Sequence, residues 1–131
     1  MRAGDAIGPE RIVPAADVPR RYAEVSGDFN PVHLDPEYAE AAGLPGVILH
    51  GLWTMAQLAR VDLAAAGGDP ARLERLSVEF RSAGLPEREI AVAATVRDVR
   101  DGRALVEHDV RQDRRRLVRR ARAEIALDPG A

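Results

Sequence analysis

Between Gly67 and Pro70 the apolar residues of this chain change their period, and that change restricts the fold more than any other feature. Before it, Leu52, Met55, Ala56, Ala59 and Leu63 recur at helical spacing in a segment from Gly51 to about Ala66. This predicts a long helix with one apolar face, stopped by Gly67-Gly68. After it, Leu76, Val78 and Phe80 alternate with Ser77, Glu79 and Arg81. Ile90, Val92, Ala94 and Val96 form a second alternating run, and Ala104, Val106, His108 and Val110 a third. Leu117, Ala121, Ala123, Ile125 and Leu127 share one face of a fourth. Alternation means strands with one buried face, and the short links at Asp101-Gly102 and Gln112-Asp113 suit antiparallel hairpins. The prediction is an α+β domain: one antiparallel sheet wrapped around one central helix. Strand order does not follow from the pattern.

The first half supplies shorter elements. Residues 5–13 read as a strand. Asp17 is placed to N-cap a helix that has Pro19 in its first turn and ends near Val25. Ser26 to Pro31 is a loop by its Gly, Asp, Asn and Pro content. Asp35-Pro36 starts a second short helix that Gly43 ends as the C′ residue, and Gly46 to His50 turns into the long helix. With no internal repeat or linker, residues 1–131 read as a single domain of sufficient size to bury a core. Aromatics make up only 4%, so Ala, Val, Leu and Ile must build that core.

Two absences exclude chemistry. There is no cysteine, hence no disulfide, thiolate nucleophile or cysteine metal site. There is no lysine either, since all 19 basic side chains are arginine, which excludes a Schiff base or a lysine-bound pyridoxal cofactor. A formal net charge of -2 argues against general nucleic-acid binding. Met1 to Asp5 holds no apolar signal core, and the most apolar stretch, Val47 to Val61, is interrupted by His50, Thr54, Gln57 and Arg60. A cytoplasmic protein without membrane association is expected.

The segment Ser26-Gly27-Asp28-Phe29-Asn30-Pro31-Val32-His33-Leu34-Asp35 sets a carboxylate and an imidazole five residues apart across a Pro-containing loop. Such a pair can converge on one water as acid and base. Seventeen residues after His33 comes His50-Gly51, at the mouth of the long helix. A glycine there presents free backbone N–H groups at the positive end of the helix dipole, suited to a developing oxyanion. Together the parts suit a reaction in which a proton moves and negative charge appears on a carbonyl oxygen.

Ser26 to Asp35 followed by His50-Gly51 closely resembles the hydratase motif of MaoC-like proteins, which include (R)-specific enoyl-CoA hydratases and (3R)-hydroxyacyl-carrier-protein dehydratases. The close match spans roughly residues 20–56; Gly4-Asp5 and Val78-Glu79-Phe80-Arg81 add general pattern. The resemblance implies a hot-dog fold, with Asp28 and His33 as the catalytic pair. Asn30, Ser26 and His50 would support the loop, and the Gly51 N–H would bind the thioester oxygen. The implied activity is reversible, stereospecific hydration of a trans-2-enoyl thioester to the (R)-3-hydroxyacyl thioester. The substrate would be carried on coenzyme A or on the phosphopantetheine of an acyl carrier protein, with no metal or redox cofactor. A homodimer is the simpler expectation and a heterodimer with a related hot-dog subunit the alternative; a hot-dog acyl-CoA thioesterase is the rival activity. Which of Asp28 and His33 is the formal base is open. Two departures stand out: Ala59, where some relatives carry a small hydroxyl residue, and Ala83 to Arg88 in place of the usual Pro and Gly-Asp punctuation.

Other residues read more plainly. Asp35 and Glu37 are helix-start residues, and Trp53, Met55 and Leu58 line the core or an acyl tunnel. His108 is expected in the core or at an interface, and Ala104, Val106, His108 and Val110 form a stripe able to meet a partner. Three histidines without a nearby carboxylate cluster predict no metal site. Residues 111–122 hold seven arginines and one Asp, read first as the solvated face of a hairpin and second as a patch for the phosphates of coenzyme A or phosphopantetheine.

Overall fold

The computed structural model describes residues 1–128. Its elements are β1 (Ala6–Ile12), α1 (Val18–Ser26), α2 (Pro36–Ala41), α3 (Gly51–Ala65), β2 (Leu73–Phe80), β3 (Ile90–Arg100), β4 (Arg103–Gln112), β5 (Arg115–Arg116) and β6 (Val118–Ala126). Single 3-10 turns at Pro31–His33 and Pro70–Arg72 precede α2 and β2. The strands form one antiparallel sheet in the order β1-β3-β4-β6-β2, with the two-residue β5 paired to β4.

Alternation decides which face of the sheet is covered. Ile90, Val92, Ala94 and Val96 of β3 are buried, as are Ala104, Val106, His108, Val110 and Gln112 of β4. Register keeps these sets together: Val92 faces Val110, Ala94 faces His108, and Val106 faces both Val96 and Ala123. The β3–β4 link is a two-residue hairpin whose Asp101 and Gly102 both have positive φ, 53° and 71°, as the turn matching strand twist requires.

Helix α3 lies on this covered face, but not by the side its hydropathy predicts. Thr54, Leu58, Val61 and Asp62 are its buried residues, whereas Leu52 of the expected apolar face is 61% exposed. The buried stripe follows the i, i+4, i+7, i+8 spacing of one helix face yet carries a hydroxyl and a carboxylate, so counting apolar residues selects the wrong side. Leu58, fully buried, contributes about 1.5–3 kcal/mol by leaving water. Asp62 is tolerated because both its oxygens meet the His108 Nε2, at 2.8 and 2.9 Å, while His108 Nδ1 faces the Ala121 carbonyl at 3.2 Å.

That contact also corrects the expected partner stripe. Ala104, Val106, His108 and Val110 point inward beneath α3 and are not available to another chain. Phe80, expected inward, is 52% exposed. Asp17 marks the start of α1 but makes no side-chain capping bond, whereas Asp35 Oδ1 accepts from the Glu37 and Tyr38 N–H groups as expected.

Helix α2 ends as predicted at Gly43 (φ 86°): the Gly43 N–H donates to the Glu40 carbonyl and the Leu44 N–H to the Ala39 carbonyl, each at 3.0 Å. Gly68 closes α3 the same way, its N–H donating to the Leu63 carbonyl at 2.7 Å. Among the described residues no helix is long and apolar enough to cross a membrane.

Candidate active site

The loop between α1 and the Pro31 turn holds itself through short-range side-chain bonds. The Asp28 N–H donates to Ser26 Oγ, the Asn30 N–H to Asp28 Oδ1, and the Val32 N–H to Asn30 Oδ1, each at 3.2 Å. Asp, Asn and Ser make such bonds because their side-chain oxygens reach the backbone two residues on. Asp28 is therefore a loop-capping residue through Oδ1, and its Oδ2 remains directed elsewhere. Asn30 also begins the turn that presents His33.

Oδ2 of Asp28 lies 3.9 Å from Nε2 of His33. On the other side of the His33 ring, Nδ1 is 2.7 Å from the Ile48 carbonyl, which can only accept, so Nδ1 carries a proton and Nε2 is the nitrogen that has a lone pair in the neutral ring. The gap is too long for a direct hydrogen bond, and a water at about 2.8 Å from both atoms fits it as a donor to each. Such a water spends both hydrogens on the two acceptors and aims an oxygen lone pair away from them.

His50 completes the local geometry. Its ring stacks on that of His33, with centroids 3.7 Å apart and planes inclined by 18°, and the Tyr22 ring packs against it at a tilt of 44° with centroids 4.8 Å apart. Its Nε2–H donates to the Asp28 carbonyl at 3.0 Å. This bond ties the backbone of Asp28 to the residue that precedes α3.

Gly51 is the first residue of α3. No intrahelical carbonyl precedes it, and among the described residues neither its N–H nor that of Leu52 meets an acceptor. A Cβ at position 51 would lie 3.0–3.1 Å from three carbons of the Phe80 ring, so glycine is what allows Phe80 to close over the helix end. His33, Gly51, Thr54 and Phe80 line a cavity of about 290 Å³, completed by Ile48, Leu49, Leu117 and the 81–84 segment. Asp28 stands at its edge, with its side chain 53% exposed.

The structure thus brings Asp28, His33, His50 and Gly51 together, with Ser26 and Asn30 holding the loop. It adds Tyr22, Ile48 and Phe80, which sequence reasoning missed; only Phe80 had a signal, as an aromatic ending a strand. The Ala83 to Arg88 segment is fixed by buried Gln112, whose Oε1 accepts from the Leu85 N–H at 2.8 Å and whose Nε2 donates to the Leu85 and Arg88 carbonyls.

The expectation that no carboxylate accompanies the histidines does not hold in space. Asp28, His33 and His50 each offer a ligand atom, and these lie within 4.8 Å of one another. Their geometry nevertheless fits a metal poorly. Imidazole lone pairs lie in the ring plane, so two nearly parallel stacked rings cannot both aim at one ion about 2.0–2.1 Å away.

A family model described as a MaoC like domain matches residues 9–115. The fatty acid synthase subunit beta of Schizosaccharomyces pombe is 34% identical over 109 residues, which is 81% of this chain but 5% of that subunit. The peroxisomal enoyl-CoA hydratase 2 of Arabidopsis thaliana is 40% identical over 63 residues, 47% of this chain and 20% of that enzyme. The chain therefore spans a small part of the length of these relatives. Among solved structures, one titled MaoC-like dehydratase superposes with a TM-score of 0.93 at 25% identity, covering 98% of this chain and 41% of that one. The sheet and its central helix are the hot-dog fold.

Proposed function

The chain belongs to the MaoC-like domain family, and on that premise we propose that it hydrates trans-2-enoyl thioesters to (R)-3-hydroxyacyl thioesters, reversibly. The observation that carries this reading is the 3.9 Å gap between Asp28 Oδ2 and His33 Nε2, beside an unbonded N–H at Gly51.

The water held between the two side chains attacks C3 of the enoyl group. As the O–C3 bond forms, a water proton passes to His33 Nε2, and the C2=C3 electron pair moves toward the carbonyl. The thioester oxygen gains enolate character and is held by the Gly51 N–H at the helix end. The imidazolium, stabilised by the Asp28 carboxylate, then returns its proton to C2, and the enolate collapses to the thioester. One water is consumed, no electrons leave the system, and the thioester supplies the activation that a metal would otherwise provide. The assignment of His33 as base rests on its Nδ1–H being spent on the Ile48 carbonyl.

Enoyl-thioester absorbance, followed with chiral analysis of the product, tests this. Release of free thiol without loss of the enoyl group would mean a thioesterase instead. We also propose a dimer as the working unit, because Leu52 and Phe80, both more than half exposed, leave apolar surface at the α3 N-terminus. Light scattering with an activity assay distinguishes a homodimer from a chain that is active only with a second polypeptide, and a fully active monomer overturns both.

A further inference from the structure

The arginine run does not behave as one solvated face. Arg119 and Arg120 both donate to Glu79, and these bonds hold the Glu79 carboxyl below the usual carboxylate range. Arg111 is engaged by Asp109 at 3.0 Å. Arg114 and Arg116, together with Arg81 at the end of β2, pair with no carboxylate among the described residues. These groups converge: Arg81, Ser82, Arg111, Arg114, Arg115 and Arg116 line a concavity of about 320 Å³.

Two further observations indicate a ligand. In the β4–β5 pair, Arg116 lies directly opposite Arg111; Asp109 engages Arg111, whereas Arg116 faces that cation with no carboxylate of its own among the described residues. The concavity also adjoins the catalytic cavity, for Arg81 and Ser82 line both. Arg115 joins the two walls, its Nη1 donating to the Ala83 carbonyl at 3.1 Å. In a chain of net charge -2, five guanidiniums around one hollow are a local concentration of positive charge.

We propose that this hollow binds the adenosine 3′-phosphate 5′-diphosphate end of coenzyme A, with Arg114 and Arg116 as phosphate ligands. It rests on the thioester reading of the adjacent cavity and names the carrier. A hollow suits a compact polyanion of nucleotide size better than the flat acidic surface of a carrier protein, and guanidinium forks suit phosphate oxygens.

The probe is adenosine 3′,5′-bisphosphate, titrated by calorimetry into the wild-type chain and into the Arg114→Ala/Arg116→Ala double variant, with circular dichroism checking the fold. Saturable binding that weakens with salt, and at least tenfold in the variant, is the expected result. No saturable binding by the wild type, or equal affinity in a folded variant, overturns the proposal. In turnover, the ratio of kcat/KM for a CoA thioester to that for the N-acetylcysteamine thioester, which lacks phosphates, should fall at least tenfold in the variant. A ratio that holds while turnover of a carrier-protein thioester falls would assign the patch to the carrier protein and overturn the coenzyme A claim. Bisphosphate binding without hydration of any thioester would leave the phosphate site standing and remove the hydratase reading.

Discussion

The rings of His33 and His50 stack at 3.7 Å, so the imidazole beside the Asp28 carboxylate rests directly on the one whose N–H holds the Asp28 carbonyl. In the proposed mechanism His50 touches no reacting atom and acts as a positioning residue through its contacts with Asp28 and His33. His50→Phe keeps a flat ring against His33 but loses the N–H bond to the Asp28 carbonyl. Expected is a drop in kcat of roughly fivefold, in line with loss of one hydrogen bond of about 1 kcal/mol, and little change in KM. Steady-state kinetics read the split. A variant whose KM rises while kcat holds would show that His50 serves substrate binding instead.

Asp28→Asn retains an Oδ1 to accept the Asn30 N–H and so should leave the loop in place, yet it removes the carboxylate beside His33. His33→Ala removes the proposed base. Each is expected to lower turnover by at least about a hundredfold. Because Asp28 is largely exposed, its variant should unfold within about 0.5 kcal/mol of the wild type in urea. Near-normal turnover by either folded variant would remove the proposed mechanism.

At Gly51 the structure sharpens what a side chain does. A methyl group there meets Phe80 at 3.0–3.1 Å, so Gly51→Ala pushes the ring aside beside the N–H proposed to hold the thioester oxygen. Expected is a loss of kcat of about tenfold or more in a protein that still folds. Phe80→Ala in the same background relieves the clash. If it restores activity, the glycine serves Phe80 packing; if it does not, the glycine serves the oxygen.

Much of this was legible in the chain because local chemistry settled it. Asp35, Gly43, the glycines after α3 and the Asp101-Gly102 turn each act within a few residues, and the structure places each as expected. The Asp28 to His33 spacing and His50-Gly51 likewise converge. The buried face of α3 was not legible, because Asp62 is acceptable inside only when His108 arrives 46 residues later in sequence to meet it. The same distance effect misplaced Ala104, Val106, His108 and Val110, whose alternation states that one face is buried but not against what. Phe80 and Ile48 matter through contacts made by the tertiary fold alone, with Gly51 and with His33. Arg114 and Arg116 became distinct from Arg119 and Arg120 only once Glu79 was seen to hold the latter pair.

The Asp62–His108 contact fastens the central helix to the sheet, with both side chains fully buried. Each His108 nitrogen has an oxygen partner, Nδ1 the Ala121 carbonyl and Nε2 the Asp62 carboxyl group. Removing one partner leaves the other buried without a counter-charge, which costs about 3–5 kcal/mol. Asp62→Ala should therefore lower unfolding stability by roughly that amount in urea titrations, with the m-value unchanged. Replacing both partners, as Asp62→Leu with His108→Phe, removes the orphaned charge and should recover a good part of the loss. A double variant as unstable as Asp62→Ala would mean that shape, not charge, makes the pair necessary. An Asp62→Ala chain within about 1 kcal/mol of the wild type would show that water reaches His108 and that the pair adds little.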